Sequence, residues 1–149
     1  MEANRLEEAK VVDIVLTTQE SRLELPLAEA GISAGFPSPA LDFSDATIDL
    51  NQHLIKNAPS TYIGRVNGES LKNIGIMNDA LLVIDRSRTP KNDDIAVCFI
   101  DGDFTLKRIH KKKNELWLLP ENESFPPIQI KEGNQLIIWG IVTHCINAY

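Results

Sequence analysis

The sequence predicts a mainly β fold: a compact, strongly bent body of packed sheets or a partly open barrel, preceded by an extended N-terminal arm. Beyond position 60, most apolar residues fall in short runs of strand length. Glycine and aspartate cluster between these runs, where the chain must turn. Only one stretch of the body carries helix signals. Many short strands with little helix are typical of sandwiches and barrels.

The first 34 residues differ in charge from the rest of the chain. Of the formal net charge of -6 over 149 residues, this segment carries seven acidic and three basic side chains, which gives -4. Residues 11–16 predict a short strand, which is too small to close a core alone. We therefore predict an arm over residues 1–34 that leans on the body or on a second subunit, and one β domain over residues 35–149.

A bent loop is predicted where the arm meets the body. Two glycines and two prolines fall within residues 31–39, which excludes a regular helix and favours an extended, accessible segment. Residues 49–55 then predict one helical turn, with Asp49 as its N-cap and Asn57 and Pro59 as its stop.

Seven strands are predicted in the body. Asp101-Gly102 supplies the positive φ angles of a tight hairpin turn, so the strand that ends at Ile100 must lie beside the strand that carries Lys107. The last strand offers apolar residues and an edge for pairing. The predicted strands cover residues 61–66, 80–85, 95–100, 104–110, 115–120, 128–130 and 136–149.

Composition and motif spacing argue against several classes of protein. Net acidity disfavours a protein that coats nucleic acid by charge, and the basic run at residues 111–113 falls where a solvated hairpin turn is expected. The apolar runs are too short to cross a bilayer and the start resembles no secretory signal, so we expect a cytoplasmic protein without a membrane partner. Phosphate-loop, dinucleotide-binding and nucleophile-elbow motifs are absent. Cys98 and Cys145 are predicted to be reduced, buried thiols.

No metal site is predicted. The histidines at 53, 110 and 144 are scattered, without the spacing of ligands. The acidic residues at 93–94 and 101–103 bracket a strand, where a metal or acid–base pair is conceivable, but aspartates are far commoner as turn residues.

One serine and one lysine have settings that suit nucleophilic chemistry. Ser70 follows a predicted strand, and Gly68 lets the backbone turn sharply and aim N–H groups at a developing oxyanion. Strand alternation puts Thr105, Lys107 and Ile109 on one face, which we expect to point inward. An amine in an apolar site loses its proton more readily and can then accept the proton of a hydroxyl. Spacing alone leaves open that both residues are structural.

Separated segments resemble the LexA/UmuD family of self-cleaving Ser/Lys proteins. They look like the family's cleavage loop, nucleophile turn, general-base strand and closing strand, in that order: residues 34–40, 68–76, 101–107 and 139–142. The match covers nearly everything after Leu25 and implies a bent β-sheet body of the LexA/signal-peptidase type. The sequence departs from the family at Leu71, where methionine is usual.

Within this family the chain resembles the UmuD branch more than the LexA repressors, on residues 35–40 and 48–52. A repressor also needs a DNA-reading helix-turn-helix, and the 34 residues before the cleavage bond show no helical periodicity. We therefore expect no direct, specific DNA binding.

The resemblance implies an intramolecular or intra-dimer serine peptidase that cuts one bond per molecule. Ser70 is the implied nucleophile, which attacks the carbonyl carbon of Ala34, and Lys107 is the implied general base. Lys107 then protonates the departing amine of Gly35. The cleavage site is thus Ala34-Gly35.

The same resemblance implies the surroundings of the reaction. The Ser70 N–H holds the oxyanion, with Gly68 and Glu69 supporting the turn, and no metal or cofactor is needed. The implied partners are a second copy of the chain in a homodimer, a RecA filament on single-stranded DNA that stimulates cleavage, and the catalytic subunit of a translesion polymerase (UmuC-like). The trimmed form, residues 35–149, would serve error-prone synthesis in the SOS response to DNA damage.

Three alternatives stay open. One is a polymerase-accessory protein that does not cleave itself. Another is a LexA-like regulatory protein that lacks a DNA-binding domain. The third, a signal-peptidase relative, is disfavoured because the sequence shows no membrane anchor.

Overall fold

The computed structural model describes residues 9–16, 21–27 and 46–149. These ranges contain short strands, one helical turn and two 3₁₀ turns, at Ala58–Ser60 and Lys72–Ile74. The helix, α1, is Leu50–Leu54. The strands are β1 Lys10–Leu16, β2 Glu24–Pro26, β3 Thr47–Asp49, β4 Thr61–Asn67, β5 Leu81–Asp85, β6 Ile95–Ile100, β7 Asp103–Lys112, β8 Glu115–Leu119, β9 Ile128–Ile130 and β10 Leu136–Ile146.

Eight of these strands form one antiparallel sheet in the order β1-β4-β5-β10-β6-β7-β8-β9. The remaining two, β2 and β3, pair with each other. The mainly β fold predicted from the sequence is therefore confirmed.

The long strand β10 joins the two halves of the sheet. Its first part, through Ile141, pairs with β6, and its second part, from Ile141 onward, pairs with β5 on the other side. The register shifts between Ile138 and Gly140 and again between Val142 and His144. Such bulges bend a strand and increase its twist, which lets one strand serve two packed halves. The last strand is thus not the simple edge that the sequence analysis expected.

Two apolar clusters fill the bent sheet. On β6, Val97 belongs to one cluster, whereas its neighbours Ala96 and Cys98 belong to the other. Successive strand residues point to opposite faces, so both faces of β6 are buried. The same holds on β7, where Leu106 and Ile109 belong to different clusters. The interior strands β6 and β7 are consequently held from both sides.

Local signals in the sequence predicted most elements correctly. The Asp49 carboxylate caps α1 by accepting bonds from the N–H groups of Asn51 and Gln52. Asp101 and Gly102 adopt φ angles of 47° and 95° in the hairpin between β6 and β7, as the tight turn requires.

Some boundaries and elements differ from the prediction. Strand β7 is longer than expected because its pairing with β8 extends through Lys112, and the exposed turn follows at residues 113–114. Strand β10 ends at Ile146 rather than at the last residue. The short pair β2 and β3 was not predicted, because three residues carry too little periodicity.

The N-terminal arm contributes a strand to the sheet. β1 pairs antiparallel with β4, so this part of the arm leans on the body of its own chain. Gly64 of β4 makes the close approach feasible, since a Cβ there would clash with Cγ1 of Val11. The proposed boundary at residues 34 and 35 falls outside the described residues. Among the helices that the structure describes, none is long and apolar enough to cross a membrane.

Candidate active site

Ser70 lies in the turn that follows β4. Gly68 opens this turn with a φ of 108°, a left-handed conformation that glycine adopts without steric cost. Its N–H donates to Oδ1 of Asn78 at 2.9 Å, which ties the start of the turn to the next loop. Ser70 and Leu71 are both fully buried, and Leu71 packs into the apolar core. The turn predicted from Gly68 is present.

Strand β7 holds Lys107 in the interior. Thr105, Lys107 and Ile109 are all buried, as the alternation predicted, and the Lys107 side chain has no exposed surface. Its Nζ donates to Oγ1 of Thr105 at 2.9 Å and to the carbonyl oxygen of Leu106 at 3.3 Å. A buried amine needs such acceptors because its N–H groups have lost their contacts with water.

One residue of the arm bridges the turn that contains Ser70 and strand β7. The N–H of Ala9 donates to Oγ of Ser70 at 3.0 Å, and the carbonyl oxygen of Ala9 accepts from the N–H of Leu106 at 3.1 Å. Ala9 itself is fully buried. Ala9 therefore links the Ser70 hydroxyl to the strand that carries Lys107. This residue of the arm also covers the hydroxyl.

Cys98 lies on β6, next to the base strand. Burial raises the pKa of the Cys98 thiol from 9.0 to about 12, and the positive charge of nearby Lys107 acts in the opposite direction. Cys98 is therefore a neutral apolar residue in the folded protein, as the sequence analysis expected. Burial also raises the pKa of Cys145, which is only partly buried.

The other candidate residues lie apart from this centre or outside the described residues. Ala34 and Gly35, the expected cleavage site, belong to the part that the structure does not describe. Asp93 and Asp101 occupy turns with positive φ angles of 67° and 47°. Within the described ranges, no group of three His, Cys, Asp or Glu side chains could hold a metal ion.

Three residues contribute to the site although the sequence did not identify them as site residues. Thr105 had a detectable signal, since it precedes Lys107 by two positions on the same strand face. Ala9 had none, because its contacts with Ser70 and Leu106 depend on the docking of a distant strand. Asn122, whose Nδ2 donates to the Glu69 carbonyl, follows a strand without any local mark of its role.

A bent, mainly β body that buries a serine turn beside a lysine strand is the architecture expected for LexA/UmuD-type proteins. The chain belongs to the Peptidase S24-like family, whose model matches residues 26–143. It is 38% identical to the Escherichia coli protein ImpA over 122 residues, which cover 82% of this chain and 83% of ImpA. It is 36% identical to the Salmonella typhimurium protein MucA over 137 residues, which cover 91% and 93%.

A repressor is also among the relatives. The LexA repressor of Shewanella denitrificans is 35% identical over 118 residues, which cover 78% of this chain and 57% of the repressor. Together with the UmuD-like proteins ImpA and MucA, it confirms the resemblance to the LexA/UmuD family and supports a place in the SOS mutagenesis group.

Displacing β1 should expose the Ser70 hydroxyl. In Ala9→Arg, a long charged side chain replaces a buried methyl group, so we expect Ser70 to react several-fold faster with a fluorophosphonate at alkaline pH. The adduct is measured as a mass increase of the intact protein. Lys10→Ala, at an exposed position of the same strand, should leave the rate unchanged. Equal labelling of all three proteins would show that β1 does not limit access.

Cys98 should make the folded protein sensitive to alkali. The thiol ionises near its ordinary value of 9.0 in the unfolded chain but only at about 12 in the folded one. Its contribution to stability is thus complete below pH 9 and is lost as the pH rises towards 12, by on the order of 4 kcal/mol in all.

Urea unfolding between pH 9 and about 12 measures the effect. The measurements are made in the Ser70→Ala variant, so that self-cleavage cannot interfere. Adding Cys98→Ala should make the free energy of unfolding fall less steeply with pH, because the titrating group is gone. Parallel pH profiles for the two proteins would contradict the assignment.

Proposed function

We propose that this protein is a self-cleaving serine peptidase that cuts its own chain between Ala34 and Gly35. Ser70 acts as the nucleophile and Lys107 as the general base. The observation that carries the proposal is that the turn with Ser70 and the strand with Lys107 lie together in one buried region, where the backbone of Ala9 links them. The full burial of both side chains supports it, because water is kept from the reacting groups.

The chemistry needs only groups of this chain and one water molecule. Neutral Lys107 accepts the hydroxyl proton while Oγ of Ser70 bonds to the carbonyl carbon of Ala34. The bond from that carbon to the Gly35 nitrogen breaks, and Lys107 gives its proton to the departing amine. Water then hydrolyses the ester and releases the Ala34 carboxylate. The backbone N–H of Ser70 stabilises the oxyanion, with Gly68 and Glu69 shaping the turn that presents it.

The Thr105 hydroxyl orients the base in this scheme. It accepts a bond from Nζ of Lys107 at 2.9 Å, so it limits the directions in which the amine points. The carbonyl of Leu106 adds a second acceptor at 3.3 Å. Together they hold the amine at the end of a long side chain that otherwise has many rotamers.

The reaction serves, in our proposal, the SOS response to DNA damage. A RecA filament on single-stranded DNA stimulates the cleavage, and the trimmed form, residues 35–149, acts as a dimeric accessory subunit of a UmuC-like translesion polymerase. The similarity to ImpA, MucA and the LexA repressor supports this role. Exposed apolar side chains near α1 and the end of β10, among them Leu50 and Ile146, are compatible with self-association.

A non-cleaving accessory protein is the second candidate. The hydrogen bond from the Ala9 N–H to the Ser70 hydroxyl favours it, because β1 has to be displaced before that hydroxyl is free to react. A third, a LexA-like regulator without a DNA-binding domain, would be recognised by specific duplex binding at moderate salt.

Self-cleavage without any partner should accelerate as the pH rises, because only neutral Lys107 can accept the Ser70 proton. Intact-mass spectrometry of the purified chain at neutral and alkaline pH should find the 1–34 and 35–149 fragments. Ser70→Ala and Lys107→Arg should both keep the chain whole. A chain that stays intact under alkali, with wild-type fold, favours the accessory candidate, and cleavage that survives both substitutions would mean that another nucleophile acts.

Thr105→Val keeps the size of the side chain but removes the acceptor of the Lys107 amine. We expect about tenfold slower self-cleavage at every pH, which is less than the roughly 100- to 10,000-fold contribution of a general base, because the amine itself stays in place. The control is Thr143→Val on β10, whose hydroxyl donates to the Val83 carbonyl away from this site. The same slowing in both variants would contradict a specific role for Thr105.

A further inference from the structure

The loop that follows β8 is bonded to the nucleophile turn. The N–H of Glu121 donates to the Ser70 carbonyl oxygen at 2.7 Å, and the Glu121 carbonyl accepts from the N–H of Asn73 at 3.1 Å. The next residue, Asn122, is a buried polar residue with 6% of its surface exposed. This loop therefore contacts the turn at Ser70 and at Asn73.

The Asn122 side chain uses both of its polar atoms. Nδ2 donates to the Glu69 carbonyl oxygen at 3.0 Å, and Oδ1 accepts from the N–H of Ser124 at 3.0 Å. The Glu69 carbonyl also accepts from the N–H of Lys72 at 3.2 Å. One bond of Asn122 thus orders its own loop, while the other reaches the peptide group that precedes Ser70.

That peptide group contains the Ser70 N–H, which is the proposed donor to the oxyanion. The Glu69 carbonyl and the Ser70 N–H belong to one planar trans peptide and point in opposite directions. Holding the carbonyl at Nδ2 of Asn122 therefore fixes the direction of the Ser70 N–H. A bond at the carbonyl also polarises the N–H and makes it a stronger donor.

The same loop is tied to the base strand. Nε of Arg108, the residue after Lys107, pairs with the Glu121 carboxylate, and the Arg108 guanidinium also donates to the Asp93 carbonyl at 2.9 Å. The loop at residues 120–125 thus binds the nucleophile turn through Asn122 and the base strand through Glu121.

We propose that Asn122 is a positioning residue, which aims the Ser70 N–H as the oxyanion donor by holding the Glu69 carbonyl. The inference rests on the proposed self-cleavage and deepens it. Loss of the Nδ2 donor leaves the Lys72 bond in place, so the Ser70 N–H loses alignment but stays present. The expected loss in rate is therefore about tenfold or more, short of the roughly 100- to 1,000-fold cost of removing an oxyanion donor itself.

The test compares Asn122→Asp and Asn122→Ala with the wild-type full chain. Asn122→Asp keeps the acceptor for the Ser124 N–H and nearly the same shape, but it replaces the donor to Glu69 by a carboxylate oxygen, while Asn122→Ala removes the donor without adding a charge. The matched control is Asn134→Ala, which removes a similar turn bond, to the N–H of Lys131, between β9 and β10. Thermal unfolding at neutral pH verifies that each variant is folded.

Two readouts are measured. The rate of self-cleavage across alkaline pH should reach a lower plateau in both Asn122 variants. In Asn122→Ala the pH of half-maximal rate should stay that of the wild type, because this substitution adds no charge near Lys107. The ¹⁵N chemical shift of the Ser70 amide, at neutral pH, should move in both variants and not in Asn134→Ala, because it reports the bond at the preceding carbonyl.

An unchanged Ser70 shift in Asn122→Asp, or a wild-type plateau rate in that variant, would overturn the inference. In Asn122→Ala, a changed pH of half-maximal rate with an unchanged plateau would also overturn it, since the effect would then act on the base. If the wild-type chain does not cleave, the shift still decides whether Asn122 orients the Ser70 N–H, and only the proposed function fails.

Discussion

The burial of a lysine amine inside an apolar sheet is the constraint on which this structure depends. The Lys107 side chain has no exposed surface. Its neighbour Leu106 and its same-face neighbour Ile109 are also fully buried, so the amine lies among apolar side chains. Removing an ammonium group from water costs several kcal/mol, and a neutral amine still needs acceptors for its N–H groups. The Thr105 hydroxyl and the Leu106 carbonyl supply acceptors from the same strand. Strand β7 must therefore be covered on both faces and held rigid.

The sheet topology meets that demand. Strand β7 lies between β6 and β8, and β6 is in turn held by the first part of β10. Because β10 changes partners at Ile141, the half of the sheet with β4 and β5 is folded onto the half with β7. The serine turn that follows β4 is thereby brought to the lysine strand, although 37 positions separate Ser70 from Lys107 in the sequence. The loop after β8 then connects the two through Glu121 and Asn122.

The arm covers the Ser70 hydroxyl. The Ala9 N–H donates to the Ser70 hydroxyl, and the Ala9 carbonyl accepts from the N–H of Leu106. A docked β1 and a docked cleavage loop are therefore competing states of the same chain in our proposal. The sheet bonds between β1 and β4, and the close fit of Val11 over Gly64, stabilise the covered state. Any partner that stimulates cleavage must favour the other state by its difference in affinity for the two.

The sequence by itself determined the elements whose signals are local. The Asp101-Gly102 turn, the Asp49 cap and the alternation around Lys107 each depend on a few neighbouring residues, and the structure has all three. The family resemblance pointed to Ser70 and Lys107 as the candidate pair, and their roles remain proposals. Only the tertiary structure decided that β10 pairs with both halves of the sheet and that β2 pairs with β3. It also decided that Ala9 covers Ser70 and that Asn122 holds the Glu69 carbonyl. Those contacts join segments distant in sequence, and their energies depend on how the strands dock, which no local pattern of residues encodes.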